Sequence, residues 1–342
     1  MQKNILFVCL LLITNQLQAY DFEKIGHQHI LPGYQKFAVD AVQLDISAKK
    51  YCEQPDEDKL NSLRAINRQT FLAWQAVQHL RFGPVQFLSR DSRIHFWPDQ
   101  RGVIAKHYKK LLEEVLLNEE KFDISEKSIA MQGLSALEYL LYKKLPPTKK
   151  DCVVIVAITE NLQTMAQGIV HDWTSSKDPY LPYFIYPGTR DHLIYETEQE
   201  LVEQIVNSIY TELEFIVTKK LAIPLGDSIE KSRGRLAEGS RSMASLSAIA
   251  ANLKACRELY MLAFASELSN YPLNGKIKSA FDQAQHTLVQ INMPLKEAVR
   301  NAEQRVIVEQ LLNDISLLKK LISTELTQEL DLTLGFNALD GD

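Results

Sequence analysis

The sequence predicts an all-α protein of two helical bundles packed together, and three observations carry that reading. Apolar residues recur at three- and four-residue steps along most of the chain, no segment alternates convincingly at period two, and helix start and stop signals bracket the periodic stretches. Clear examples are Leu60, Leu63, Phe71, Trp74 and Val77, then Leu201, Ile205, Ile209, Leu213 and Ile216, then Val308, Leu311, Ile315, Leu318 and Ile322. The run Val153–Val156 looks β-like in isolation. It continues into Ala157–Trp173 without a turn signal, so length decides for helix.

From the N-terminus, Lys3 supplies a positive start, Ile5–Ile13 an apolar core and Leu17-Gln18-Ala19 a cleavage site, the pattern of an export signal removed before Tyr20. Its apolar run is shorter than the ~20 residues a bilayer span requires, and no later segment suggests one, so the mature chain is expected to be free in the periplasm rather than an integral membrane protein. Cys9 follows Phe7-Val8 instead of small residues, which argues against a lipid anchor.

The 342 residues suit about two domains at about 100–200 residues each, and 46% hydrophobic residues suffice for sizeable cores. With 38 basic and 43 acidic residues the formal charge is −5, and no basic stripe marks a nucleic-acid partner. Asp56 and Ser125 read as N-caps. Gly83-Pro84, Pro146-Pro147 and Pro224-Leu225-Gly226 read as stops. Two connections, Arg81–Gly102 and Ser175–Thr189, are long, and their aromatic content argues against disorder. The second divides the chain, giving a leader (1–19), an N-terminal bundle (20–185) and a C-terminal bundle (186–342).

Three cysteines remain after the leader. Cys52 and Cys152 sit at helix ends and are easier to join than Cys256, which lies inside a helical pattern and reads as a buried free thiol.

The segment Ser128–Tyr142 (SIAMQGLSALEYLLY) places one carboxylate, Glu138, among apolar neighbours. On a continuous helix Gln132, Ser135 and Glu138, three apart, form a narrow polar stripe, and Gly133 allows another backbone to come close. A buried carboxylate needs a proton, a cation or a metal. Arg81, Arg93, Arg101 and Arg241 are candidates for a structural ion pair; a ligand or metal role is the other reading. A binding site would draw on Glu138, Ser135 and Gln132, with His79, Arg81, Arg93 and Asp99 from the first connection and Arg241, Ser245 and Asn252 from the second half.

Gly133-Leu-Ser-Ala-Leu-Glu138 falls where the imelysin family carries a G-x-H-x-x-E signature. His29-Ile-Leu-Pro-Gly-Tyr34, His79–Pro84, Phe96-Trp-Pro-Asp99, Ala251-Asn-Leu253 and Gly335–Asp342 also resemble imelysin-like proteins, in the same order along nearly the whole mature chain. The resemblance implies an exported, all-helical, two-part fold, a classification among peptidases and an association with iron uptake, with partner proteins in the cell envelope. A His and a Glu at i, i+3 on a helix can present a nitrogen and an oxygen to one metal ion, so a divalent metal or iron is the cofactor reading, with Glu138 and His29 as the candidate ligands. Ser135 stands where the signature has His, and serine is a poor divalent-metal ligand at neutral pH. His27 and His29, two apart, suit an extended entry segment, while His95 and His107 lie in or near the first connection. The His192/Glu196 pair reads as a solvated face. No H-E-x-x-H or G-x-S-x-G is present. The expected function is therefore a periplasmic binding or accessory role in iron acquisition, with a metal-dependent or serine-type peptidase and a purely structural protein as alternatives. The terminal Asp340 and Asp342 are expected on a docked tail.

Overall fold

The computed structural model describes residues 20–99, 101–117, 122–143, 145–189 and 194–332. The leader 1–19, His192 and the Asp340 and Asp342 tail lie outside them. The described residues form helices and turns with no strand. The first helix, α1, is built from Phe22–Ile25, a π-helical turn Gly26–Ile30 and Leu31–Glu53. The entry segment holding His27 and His29 is thus helical and not extended. Pro32, which has no N–H to give, sits in the first turn of Leu31–Glu53, directly after the π turn.

Helix α2 (Glu57–Gln75) starts where Asp56 accepts the backbone N–H of Lys59 at 2.7 Å. After the short α3 (Arg90–Ile94) come α4 (Val103–Leu117), α5 (Leu134–Leu141), α6 (Lys149–Thr174) and the short α7 (Leu181–Ile185). α1 packs against both α2 and α6, and α5 seats on α2 and α6. Phe37, Leu44, Leu63, Val154, Ile158 and Leu162 fill this interior, each fully buried or nearly so. α6 is long and apolar enough to cross a membrane by length and composition, a candidate the sequence reading passed over. Here it is a core helix: a Thr148/Asp151 capping box starts it, and Thr159 donates to Asp45 of α1 at 2.9 Å. Cys52 and Cys152 are disulfide-bonded with Cα atoms 5.4 Å apart, tying α1 to α6; Cys256 is free and buried, and burial pushes its thiol well up.

The second half consists of α8 (Glu198–Phe215, continuing as a π-helical Ile216–Leu221 and Ala222–Leu225), α9 (Ser245–Ala263), α10 (Tyr271–Val289), the short α11 (Leu295–Ala298) and α12 (Ala302–Lys320, then a π-helical Leu321–Leu326 and Thr327–Glu329). α10 packs on α12, α9 packs on α8 and α10, and α9 also packs on α2 of the first half. The connection after α6 is held by rings: Phe82 stacks on Phe184 at 5.9 Å and Trp173 meets Tyr180 edge-on at 4.9 Å.

One sequence expectation fails locally. Ser125 does not start a helix through to Tyr142; Asp123 caps a 3-10 turn at Ile124–Glu126, a second follows at Ile129–Met131, and α5 begins only at Leu134. The physical reason is a close backbone crossing at Gly133, where an added Cβ would lie 2.1 Å from the Ile94 carbonyl oxygen and 2.4 Å from that of Arg93. The chain there is extended, and a helix cannot pass through it.

Two glycine substitutions test these packing assignments. Gly133→Ala should lower unfolding free energy by about 1–3 kcal/mol or more, because the clash is with backbone that cannot rotate away. Gly275→Ala, inside α10 with open space around the added methyl, should raise it by about 0.5–1 kcal/mol. Chemical denaturation of the two variants beside wild type gives both signs.

Candidate functional site

α5 is short because of Gly133, and this decides where its polar groups point. Gln132, outside the helix, does not share a stripe with Ser135 and Glu138. Its side chain accepts from Arg93 Nε at 2.6 Å and donates to the carbonyls of Ser125 and Lys127. Arg93 also reaches Asn161 of α6 at 3.4 Å, so Arg93 and Gln132 brace α3 against α6 rather than lining a site.

Among the described residues Glu138 forms no ion pair with an arginine. Its Oε1 accepts from the backbone N–H of Ser242 at 2.9 Å and from the Ser242 hydroxyl at 2.7 Å. Arg241 instead lies over the Tyr139 ring at 5.2 Å, and the Arg101 residue is exposed. Ser242 belongs to a tight loop in which Gly239 accepts from the Ala244 N–H at 2.9 Å, so Glu138 latches a turn of the second half onto a helix of the first.

Between them is a cavity of about 130 Å³, with His95, Trp97, Asp99, Ser135, Glu138 and Arg241 in its wall. The Ser135 hydroxyl is buried and has no hydrogen-bond partner among the described residues. Asp99 turns away to cap α4, accepting from the N–H groups of Val103 and Ile104 at 2.7 and 3.1 Å. His95 and Trp97 also line a second cavity of about 120 Å³ on the side of Arg81 and Phe215, and so form the partition between the two.

Behind His95 is a buried charge cluster that sequence reading missed. Lys220, 1% exposed, donates from Nζ to Gln75 Oε1 (2.6 Å), Gln78 Oε1 (2.7 Å) and Asn252 Oδ1 (2.6 Å), which accounts for its three protons. Glu238 Oε2 lies 2.9 Å from the same nitrogen and Glu212 Oε1 3.5 Å. Arg81 Nη2 is 3.6 Å from the other Glu212 oxygen, and its guanidinium rests on the Phe215 ring at 4.7 Å. Two cations thus face two carboxylates. Lys220, 3.5 Å away, and Arg81 are the cations nearest Glu212 among the described residues, and burial pushes its carboxyl above the ordinary range against their pull. Asn252 further donates to the Gln75 carbonyl at 2.8 Å, and Ser245 donates to the Glu238 carbonyl at 2.5 Å. Arg81, Ser245 and Asn252 therefore belong to this cluster and not to the Glu138 cavity.

His29 and His79 form a third group, their Nε2 atoms 2.8 Å apart. Burial lowers His29 and His95 to about 4 and holds His79 well below its ordinary value, so all three are neutral imidazoles at pH 7. The expected metal pair, Glu138 and His29, does not converge: Glu138 is engaged by Ser242 and His29 by His79. Among the described residues no group of three or more His, Cys, Asp or Glu side chains stands ready to hold a metal ion. Serine at 135 adds no strong ligand. The residues present do not fit a metal held by a full protein ligand set. Nor, among the described residues, does any base lie within hydrogen-bond reach of the Ser135 hydroxyl, which a serine nucleophile needs.

The described residues define an all-helical fold with a polar cavity lined by the first and second halves of the sequence. The Imelysin family model matches residues 30–322, and the chain belongs to the imelysin family. No curated protein matches it. Among crystal structures it is similar to an imelysin-like protein from Psychrobacter arcticum 273-4, with TM-score 0.75 and 19% identity over 92% of this chain and 96% of that one. It is also similar to a protein from Parabacteroides distasonis ATCC 8503, named as an iron-regulated protein A precursor, with TM-score 0.73 and 12% identity over 92% and 94%. At these identities the two structures speak for the fold.

Two measurements probe the buried groups. Lys220→Met leaves two buried carboxylates facing one distant arginine and should cost about 3–5 kcal/mol of unfolding free energy, with part recovered in Lys220→Met/Glu238→Gln. The histidines set a pH dependence. Their folded pKa values lie below the ordinary 6.5, so the unfolded chain binds more protons between about pH 6.5 and 4. Their contribution is complete above about 6.5 and is lost as pH falls toward 4. Denaturant titrations across that window should show a steeper loss in wild type than in His29→Gln or His79→Gln.

Proposed function

We propose that this imelysin-family protein is an exported binding protein of the cell envelope that serves iron acquisition, holding its ligand in the cavity beside Glu138 and Ser135. The observation that carries this reading is the buried Ser135 hydroxyl, which lines the cavity and has no hydrogen-bond partner among the described residues. An unsatisfied buried hydroxyl costs about 1–3 kcal/mol, which a bound polar group relieves. Supporting the iron assignment are the family itself and the similar fold of a protein named as iron-regulated. The leader-like residues 1–19 support export. Bundles at 20–185 and 186–342 would meet at the ligand, and envelope proteins of an iron-uptake system are the fitting partners.

Because no three-ligand set is found among the described residues, the iron would come as a complex whose chelator completes its coordination. A hydrolytic role is the weaker reading, since Ser135 has no base and the motif position offers no metal pair. Equilibrium dialysis of the mature chain against ferric nitrilotriacetate should retain iron near one equivalent, with tenfold or greater weakening in Glu138→Gln. No retained iron, together with cleavage of unfolded casein by wild type but not by folded Ser135→Ala, would replace the binding reading with a peptidase.

A further inference from the structure

The loop that latches Glu138 has a second face. Arg235 and Arg241, which line the small cavity, also line a larger open cleft of about 740 Å³ together with Lys296 and Arg300 from the segment around α11. Ser240 is common to both cavities, so the cleft adjoins the smaller one directly. Four cations face one carboxylate, Glu297, in a chain whose formal charge is −5. Among the described residues none of the four takes part in an ion pair within 4.0 Å, although ion pairs are common elsewhere on this surface. Arg241 is occupied only on its flat side, by the Tyr139 ring.

The frame holding these charges is built closely. An added Cβ on Gly234 would lie 2.2 Å from the Lys296 carbonyl oxygen, so the turn carrying Arg235 and the segment carrying Lys296 and Arg300 touch backbone to backbone. The start of α12 also faces the cleft through Asn301, whose side chain accepts from the N–H groups of Glu303 and Gln304, and the positive end of that 19-residue helix adds to the field. Like charges held together without counter-charges repel, and guanidinium forks match planar or tetrahedral oxyanions with paired N–H donors. Tyr142 and Met293 provide a less polar floor.

We propose that this cleft binds a small, multiply charged anion bearing carboxylate or phosphate groups, and that the ligand of the adjoining Glu138 cavity arrives as part of such an anion. The proposal rests on the function proposed above and assigns its ligand's class: an anionic chelate, drawn by Arg235, Arg241, Lys296 and Arg300, with the chelator supplying the ligands the protein lacks. A field of one sign in a walled cleft also raises the capture rate of such an anion, and salt screens it.

The experiment is calorimetric titration of the mature protein with citrate, pyrophosphate and ferric citrate at about 50 and 300 mM NaCl, using wild type, Lys296→Gln/Arg300→Gln and Glu138→Gln. Lys296 and Arg300 line the cleft and not the smaller cavity, and their loss should weaken binding of the preferred anion tenfold or more, with wild-type affinity falling as salt rises. Tighter citrate than pyrophosphate binding assigns carboxylate chemistry, and the reverse order assigns phosphate. Absence of binding by both anions, or binding that the double variant leaves unchanged, overturns the proposal. The two readings fail separately: ferric citrate retained equally by wild type and Lys296→Gln/Arg300→Gln sinks the cleft and leaves the iron function standing. Anion binding lost in the double variant, with ferric citrate bound no better than citrate, keeps the cleft and removes the iron.

Discussion

The ammonium of Lys220 is the constraint around which the two halves are organised. A lone ammonium at this depth would lose several kcal/mol of hydration, so it is stable only where oxygens replace its water. Gln75 and Gln78 come from α2 and the turn after it, Asn252 from α9, and Glu238 from the loop before α9. All must be in place together. That requirement fixes α2 against α9, holds the 237–244 loop with Glu238 facing inward, and so leaves Ser242 at the reach of Glu138. The small cavity between them is a consequence of the same arrangement, since its walls are the groups that Glu238 and Ser242 position.

Two π-helical turns place the polar interior. Gly26–Ile30 carries His29 and Ile216–Leu221 carries Lys220, and a π turn accommodates one extra residue relative to an α turn. The extra residue shifts the phase of everything on the helix around it. On an undisturbed 3.6 repeat, Lys219 and Lys220 read together as a polar interruption of an apolar face; with the π turn, Lys220 is turned fully inward while Lys219 stays at the surface margin.

This explains what was legible in the sequence. Periodicity depends on many residues agreeing, and the helices it marked are present, from the Asp56 start of α2 to the Val153–Val156 stretch inside α6. The family was legible because separated motifs occur in order, and the Imelysin match over residues 30–322 takes in all of them except His29 and the terminal Gly335–Asp342. Partnerships of single polar groups were not legible. Glu138 could be singled out as a carboxylate in an apolar segment, but nothing in the sequence marks Ser242, 104 residues away, as its donor. Arg81, Arg93 and Asp99 are ordinary polar residues of one loop, and only the three-dimensional structure shows their three different duties: Glu212, Gln132 and the α4 cap.

The distribution of charge between the centre and the rim also limits what the protein can hold. In the interior the charges are matched two against two, with Lys220 and Arg81 facing Glu212 and Glu238, so an added bare cation would meet a fixed ammonium before reaching a free carboxylate. At the cavity wall Glu138 is already satisfied by two donors, and the neighbouring Ser135 offers a hydroxyl. At the rim the unmatched charges are positive. A cation stripped of its ligands is disfavoured at each of these stations, whereas an anion meets arginines outside and an unpartnered hydroxyl within. The electrostatics of the whole site therefore favour a cargo whose own oxygens carry the negative charge, with any metal enclosed by them.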